Sequence, residues 1–284
     1  MPELTTVLIV TPHSSGHVPQ NVLATMLGEA HDDLAAREQL LRRINLQGDP
    51  YTDVLFDVPD TTSVHAWASR FVVDANRLRD RGGPNGVVKV TDFDSVPLYP
   101  AGAEPDEADI EERLARYWDP FHATIKRLLG ERRIELLLDG HSMSGTGPSI
   151  GPDHGAPRPA ITLMTGGDED GEPRSGRPPS LPPALAREFR DLVAKALEPV
   201  LAAQDVVPHE VALNSPWSAD ELSYMHGPPA GIPAFGLEIN RLLFMNEETG
   251  EALPERVRAL RAGMSEFVAA ALEATRRSRA GSGT

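Results

Sequence analysis

Hydrophobic residues along this chain form short aliphatic runs that alternate with longer segments of helical spacing. The short runs predict strands at 7–10, 134–138, 160–164, 206–213 and 234–239, and two strand-like pieces within 63–73 that close with Phe71-Val72-Val73. The helical spacing predicts helices at 32–45, 52–56, 105–130, 183–203 and 254–276. Strands that alternate with helices favour an α/β fold, with a mixed β-sheet flanked by helices.

Segments rich in glycine and proline predict loops between these elements, at 79–108, 143–158 and 165–183. The first of these is long enough to indicate a functional loop. Residues 1–277 are interpreted as a single domain, and residues 278–284 as a frayed, disordered tail.

Composition and charge exclude several classes of function. The chain has 284 residues, a formal net charge of -15 and no cysteine. Nucleic acids and anionic membranes both attract basic surfaces, so neither is an expected partner. Disulfides, thiolate metal sites and cysteine nucleophiles are excluded. The first residues resemble neither a signal peptide nor a membrane span, so we expect a cytoplasmic protein, either a monomer or a small homo-oligomer.

Two histidines occupy similar positions in the predicted strand pattern. His13 and His141 each follow a buried-type strand and precede a turn of small residues. Ligand sites in open α/β sheets gather at the carboxyl ends of strands, so these two side chains can converge there. A lone histidine at such a junction is usually a satisfied polar residue, whereas the matched pair favours a metal site.

A metal site needs a third ligand, which must be a carboxylate or another histidine because the chain lacks cysteine. Asp49 and Asp53 lie one helical turn apart in Gly48-Asp49-Pro50-Tyr51-Thr52-Asp53. Asp49 also has the sequence context of a helix N-cap, with Pro50 at the first helical position. The residues alone leave both interpretations of Asp49 open.

Glu238 stands in an apolar strand, where a carboxylate is costly to bury without a task or a partner. A general base beside a metal is one such task, and a salt bridge to Arg241 is the alternative. Arg70, Asn76 and Arg77 flank another apolar run. Arginine side chains there suit a substrate carboxylate, or a surface ion pair.

Five segments resemble, in order, the main blocks of the N-formylglutamate amidohydrolase family: TPHSSGHVP, GDPYTDVLFD, SRFVVDANR, LLLDGHSM and LEINRLLFMNEETG. The resemblance covers most of the chain, and five blocks in the right order are strongly specific. It implies a zinc-exopeptidase-like (phosphorylase/hydrolase-like) α/β fold. It also implies hydrolysis of N-formyl-L-glutamate to formate and glutamate, late in histidine breakdown.

The same resemblance implies roles for particular residues. His13 and His141 are expected as metal ligands, with Asp49 favoured over Asp53 as the carboxylate ligand, and Glu238 is expected as the general base. The metal is expected to be zinc, although His/Asp sites also accept manganese, cobalt or iron. The residues expected to bind the small anionic N-acyl amino acid are Arg70, Asn76, Arg77, His226 and Arg241.

The resulting hypothesis is a metal-dependent amidohydrolase in which a metal-bound water attacks the formyl or acyl carbonyl. One alternative is a deacylase or peptidase that uses the same residues on a different small amide. The other is a catalytically inactive member that binds a metabolite or a protein partner.

Overall fold

A six-stranded mixed sheet forms the centre of the fold. The computed structural model describes residues 4–151, 153–174, 176–218 and 220–281. The strands are β1 (Val7–Thr11), β2 (Thr62–His65), β3 (Leu136–Met143), β4 (Ile161–Met164), β5 (Val211–Leu213) and β6 (Ala234–Asn240). Their order is β2-β1-β3-β6-β4-β5, and all neighbours run parallel except β4 and β6. The predicted α/β class with a mixed sheet is confirmed.

Helices flank this sheet on both faces. They are α1 (Gln20–Leu27), α2 (Leu34–Leu46), α3 (Thr52–Leu55), α4 (Glu107–Arg113), α5 (Asp119–Glu131), α6 (Pro183–Ala202), α7 (Glu221–His226) and α8 (Pro254–Gly281). The sequence did not predict the short helices α1 and α7, neither of which spans enough turns to show a clear helical period. Helix α8 continues beyond its predicted end at Arg276, so residues 278–281 are helical. The rest of the predicted tail lies outside the described residues.

The predicted helix at 105–130 is continuous in space but contains a wide turn. Between α4 and α5, Leu114–Trp118 forms a π-helical segment. Pro120 lies just after it and has no backbone N–H to donate to the preceding turn. Such π-turns are often found at functional sites, and this one carries Trp118 toward the loop that contains Arg77.

Strand β3 is longer than predicted and contains His141 rather than preceding it. Its pairing with β6 extends from Leu137 to Met143, which keeps the backbone extended through the Asp-Gly-His-Ser segment. Gly140 has no side chain at a point where an added Cβ would lie 2.6 Å from the ring of Phe56. The ring of Phe56 therefore packs directly on the backbone of the strand that carries His141.

The second strand predicted within 63–73 is wrong. Val72 and Val73 turn back instead, and both of their backbone N–H groups donate to the carbonyl of Ser69, at 2.8 and 3.2 Å. The side chains of 71–73 pack in a hydrophobic cluster with residues of α1 and α2. The run 71–73 has the apolar composition of a strand because it is buried in this cluster. It does not form a strand, because its N–H groups bond within the turn instead of to a neighbouring strand.

The two faces of the sheet carry separate hydrophobic clusters. Along β1, Val7 and Ile9 pack with residues of α6 and α8, whereas Leu8 and Val10 pack with residues of α5. The same alternation along β3 places Leu137, Asp139 and His141 on the face of the sheet that packs against α5. No helix among the described residues is long and apolar enough to span a membrane.

Candidate metal centre

The backbone brings His13 and Asp49 together beyond the carboxyl end of β1. The N–H of Asp49 donates to the carbonyl oxygen of His13, with N and O 3.0 Å apart. Tyr51 adopts a left-handed conformation with φ 67° and occupies the N-cap position of α3, without a side-chain cap hydrogen bond. The N-cap interpretation of Asp49 is therefore wrong, and its carboxylate faces the histidines. Asp53 lies in α3 and is exposed.

The ligand atoms of His13, Asp49 and His141 converge. Asp49 Oδ2 lies 3.2 Å from Nδ1 of His13 and 2.9 Å from Nδ1 of His141. One ligand atom from each residue lies within 4.8 Å of the other two, and all three residues are buried. Two imidazole nitrogens and a carboxylate oxygen form the donor set of a three-ligand site that keeps a position for water or substrate.

A second carboxylate contacts the far nitrogen of each histidine. His13 Nε2 lies 2.7 Å from Asp74 Oδ1, and His141 Nε2 lies 2.8 Å from Asp139 Oδ2. A proton on each Nε2 leaves the Nδ1 lone pairs directed at Asp49, as in metal sites where a carboxylate orients the ligating histidine. The sequence did not assign Asp74 or Asp139 to the site, although both lie in segments that carry the family resemblance.

The charge at this centre favours a cation among the three ligands. Burial would raise the pKa of Asp49, but hydrogen bonds with His13 and His141 outweigh it and hold that pKa well below its ordinary value. Burial would lower the pKa of His141, but Asp139 and Asp49 raise it well above its ordinary value. Without a metal the centre attracts protons, so a divalent cation fits both its charge and its donor atoms.

Arg70 and Lys89 surround the carboxylate of Asp74. Arg70 Nη2 lies 3.0 Å and Lys89 Nζ 2.8 Å from Asp74 Oδ2. Lys89 is fully buried, and burial lowers its pKa to about 8 although Asp74 opposes this. Arg70 also reaches Asp49 Oδ1 at 3.5 Å. The guanidinium of Arg70 thus neutralises acids of the centre, and its binding of a substrate carboxylate stays a prediction.

Glu238 lies beside His141 on the neighbouring strand. The two residues are register partners on β6 and β3, so their side chains share one face of the sheet. Glu238 Oε2 is buried without a hydrogen-bond partner, and no ion pair with Arg241 is found within the described residues. Burial raises the pKa of Glu238; His141 opposes this rise and Asp49 adds to it. A buried carboxylate with a raised pKa at this place can accept a proton, and its role as general base stays a prediction.

Arg241 supports the turn that presents Asp49. Its guanidinium donates to the backbone carbonyls of Leu46 and Gly48, and its Nη2 donates to the carbonyl of Ser142 at 3.3 Å. These contacts occupy most of its donors. The predicted contact between Arg241 and a substrate has no direct support in this arrangement, although the side chain borders the cavity.

Asn76 and Arg77 line the same cavity as the metal ligands. Asn76 Oδ1 accepts a hydrogen bond from the N–H of Leu222 at 2.8 Å, and Asn76 Nδ2 lies 3.3 Å from His141 Nε2. Arg77 donates to the carbonyl of Asn76 at 3.1 Å, and no ion pair joins it to an acid in the described parts of the chain. Arg77 is therefore the lining arginine best placed to receive an anionic substrate group.

His226 does not line this cavity. It is buried behind the loop that carries Asn76, where its Nε2 lies 2.7 Å from Nδ1 of His122. His122 Nε2 in turn lies 3.0 Å from the carbonyl oxygen of Ala75. The predicted direct contact of His226 with substrate is therefore unsupported, and its position indicates a structural role.

The cavity has a volume of about 740 Å³. Its floor contains the metal ligands and Glu238, and its walls come from two predicted loops. Phe93 lies on one wall, and Ser144 and residues 146–151 lie on the other. Arg158 stacks over the ring of Trp217 at 4.2 Å from the ring centroid and borders the same space. The predicted loops at 79–108 and 143–158 thus both reach the site.

A comparison with protein families matches the model of N-formylglutamate amidohydrolase to residues 5–245. The chain belongs to this family. The family resemblance of the five sequence blocks is thereby confirmed.

Individual proteins that are similar to this N-formylglutamate amidohydrolase family member support the same family assignment and fold. The N-formylglutamate deformylase of Pseudomonas putida is 27% identical over 194 residues, which are 65% of this chain and 64%, just under two thirds, of that relative. The crystal structure of N-formylglutamate amidohydrolase from Ralstonia eutropha JMP134 has a TM-score of 0.70 and 21% identity, covering 98% of this chain and 96% of that one. A gene product of Agrobacterium tumefaciens has a TM-score of 0.59 and 19% identity, with 95% and 91% covered. The two solved structures establish the fold.

The buried pair of His122 and His226 predicts acid sensitivity in this family member. The hydrogen bonds of the pair are satisfied when both rings are neutral. His122 Nε2–H then donates to the carbonyl oxygen of Ala75, and His226 Nε2–H donates to His122 Nδ1. Burial, and then the charge of Lys126, lower the pKa of His226 to about 4. An unfolded histidine has a pKa of about 6.5, so the stability that depends on neutral His226 is complete above that pH and is lost as pH falls toward 4.

We therefore expect His226→Gln to reduce the loss of stability on acidification. Between about pH 7 and pH 5, the free energy of unfolding should fall by about 2 kcal/mol less in this variant than in the wild type. Urea unfolding at the two pH values measures the difference. His31→Gln, at an exposed position, is the control and should keep the wild-type pH dependence. Equal pH dependence in His226→Gln and the wild type would contradict the assignment.

Proposed function

We propose that the protein hydrolyses the formamide bond of N-formyl-L-glutamate, or the amide of a closely related N-acyl amino acid. The observation that carries this proposal is the cluster of His13, Asp49 and His141 with Glu238 beside it on the adjacent strand. Family membership and the name of the Pseudomonas putida relative support the same reaction. The expected cytoplasmic location and role in histidine breakdown stay predictions.

His13, Asp49 and His141 would hold one divalent cation, for which zinc is our first choice and manganese, cobalt or iron are alternatives. When bound, such a cation supplies Lewis acidity, which polarises an amide carbonyl and lowers the pKa of water. Asp74 and Asp139 orient the two imidazoles, and Arg70 offsets the negative charge of Asp74 and Asp49. The protein thereby holds the ligands before substrate arrives.

Glu238 performs the proton transfers of this reaction. Its carboxylate accepts a proton from the water that attacks the acyl carbon, and a tetrahedral intermediate forms. The carboxyl group then returns that proton to the nitrogen of the leaving amine as the C–N bond breaks. Formate and the free amino acid are the products when the acyl group is formyl.

Arg77 binds a carboxylate of the substrate and thereby places the amide within reach of Glu238. Replacing it by Gln should raise KM roughly 10- to 100-fold with little change in kcat, because a hydrogen-bonded ion pair contributes about 1.5–3 kcal/mol. Steady-state kinetics on N-formyl-L-glutamate measures the change.

The control for this experiment is Arg81→Gln, which removes an exposed arginine of the same loop that lies outside the cavity lining. It should leave KM near the wild-type value. An N-formyl amine without a carboxylate provides a second control, because it should be cleaved equally by the wild type and Arg77→Gln. An unchanged KM in Arg77→Gln would contradict the assignment of this residue.

The volume of the cavity favours one second candidate, an N-acyl amino acid larger than N-formylglutamate. About 740 Å³ lies within the range of pockets that enclose drug-sized ligands, whereas N-formylglutamate is much smaller. A panel that varies the acyl group and the side chain separately would show which part of the substrate uses the additional space.

The test of the proposed function combines metal analysis with an assay. The protein is purified without chelator, its metal is quantified, and formate release from N-formyl-L-glutamate is measured with and without added zinc, manganese or cobalt. Metal-dependent release is the expected result. Bound metal without release would direct the search to other N-acyl substrates, and neither metal nor release would favour an inactive, metabolite-binding member.

A further inference from the structure

Asp220 lies behind His141 and is not explained by the reaction described above. It caps α7, because its Oδ1 accepts a hydrogen bond from the N–H of Ser223 at 2.6 Å. Its Oδ2 is buried and meets no hydrogen-bond donor within the described structure. Capping α7 uses only Oδ1, so the cap does not explain why Oδ2 is buried.

Gly236 provides the space into which this second oxygen fits. A Cβ at Gly236 would lie 2.6 Å from Asp220 Oδ2, so any side chain there would displace the carboxyl group. Gly236 is also the register partner of Asp139 on the adjacent strand. The missing side chain thus opens a niche beside Asp139, and the carboxyl group of Asp220 occupies it.

The carboxyl groups of Asp139 and Asp220 are neighbours, because Gly236, whose Cβ position adjoins Asp220 Oδ2, is the register partner of Asp139. Apart from the imidazole of His141, neither oxygen of Asp139 meets a donor in the described parts of the chain. Two adjacent buried carboxylates cannot both be ionised without a large cost, so one proton is shared between them. Burial and the neighbouring Asp139 raise the pKa of Asp220 well above its ordinary value, which agrees with one proton held by the pair.

We propose that Asp220 is a positioning residue whose carboxyl group, held in the niche at Gly236, hydrogen-bonds to Asp139 and so orients Asp139 against the imidazole of His141. The chain of contacts then runs from Asp220 through Asp139 to His141. Partners of this kind hold the rotamer and tautomer of a metal-ligating histidine. The inference rests on the proposed metal site, and it concerns the strength of metal binding rather than a contact with substrate.

Two substitutions separate the role of Asp220 toward Asp139 from its role as a helix cap. Asp220→Asn keeps the cap oxygen and replaces the O–H donor by an N–H donor. Asp220→Ser keeps a good cap but is too short to reach Asp139. We expect Asp220→Asn to bind zinc like the wild type, and Asp220→Ser to bind it roughly 10- to 100-fold more weakly.

Zinc affinity is measured by competition with a chromophoric chelator, with thermal unfolding recorded for each variant. Asp106→Ser is the matched control, since the Asp106 side chain also caps a helix, α4, by accepting from backbone N–H groups of its first turn, and its loss should not alter zinc affinity. Wild-type zinc affinity in Asp220→Ser would overturn the proposal. So would equal losses in Asp220→Ser and Asp220→Asn, because a carboxylate rather than a neutral donor would then be required.

Gly236→Ala tests the same contact if Asp220→Ser does not fold. The added methyl group should displace the carboxyl group of Asp220 and weaken zinc binding, and Asp220→Asn in the same background should no longer match the wild type. Unchanged zinc binding in Gly236→Ala would also overturn the proposal. Failure of the proposed metal site is distinguishable, because the wild type itself would then bind no zinc, and failure of the proposed reaction would appear as zinc binding without formate release.

Discussion

Replacing Glu238 with Gln should lower kcat by about 10²- to 10⁴-fold, the contribution of a positioned general acid–base group. Glutamine has nearly the same shape but cannot accept the proton of the attacking water or return it to the amine. Burial raises the pKa of Glu238 toward the operating pH, where proton transfer in both directions is most effective. The measurement is formate release at saturating substrate.

Metal content distinguishes loss of the base from loss of the site. Glu238 is not one of the three residues whose ligand atoms converge, so Glu238→Gln should retain its metal. Glu273→Gln, on an exposed position of α8, is the control and should keep wild-type kcat. Near-normal turnover by metal-loaded Glu238→Gln would contradict the assignment of the base.

The sequence predicted the residues whose position depends on local structure. Strands β1 and β6 were recognised by their apolar runs, and His13 could be placed at the end of one because strand ends meet along one edge of a parallel sheet. His141 was chosen for the same reason, but pairing with β6 extends β3 through it. The chosen residue does lie in the cluster with His13 and Asp49, although the end of the strand was misplaced.

The contacts behind the ligands could not be predicted in the same way. Asp220 reaches Asp139 only because Gly236 leaves a niche between the two strands, and no local pattern in the sequence shows such a niche. His226 was assigned to substrate from its motif, but its partner His122 lies 104 residues away on another helix. The position of Lys89 depends on how a long irregular loop folds back onto Asp74.

Asp49 and Asp53 show how tertiary structure decides between equivalent candidates. On an ideal helix the two carboxylates would lie on one face, and Asp49 would be a plausible cap. The left-handed conformation of Tyr51 delays the start of the helix, so Asp49 turns inward and Asp53 outward. A backbone conformation at one residue therefore decides which carboxylate faces the histidines.

Asp49→Asn should abolish stoichiometric metal binding, whereas Asp53→Asn should leave it intact. The amide keeps the size of Asp49 but removes the negative charge that faces Nδ1 of both His13 and His141. We expect a loss in metal affinity of at least about 100-fold, since even partners outside the ligand set contribute 10- to 100-fold. Activity should fall with metal occupancy.

Elemental analysis after dialysis against a weak chelator, together with formate release, measures both effects. Asp53→Asn is a closely matched control, because it makes the same chemical change four residues away on an exposed side chain. Retained metal in Asp49→Asn together with loss in Asp53→Asn would reverse the assignment. Retained metal in both variants would contradict the assignment of Asp49, because the two histidines would then bind the metal without either carboxylate.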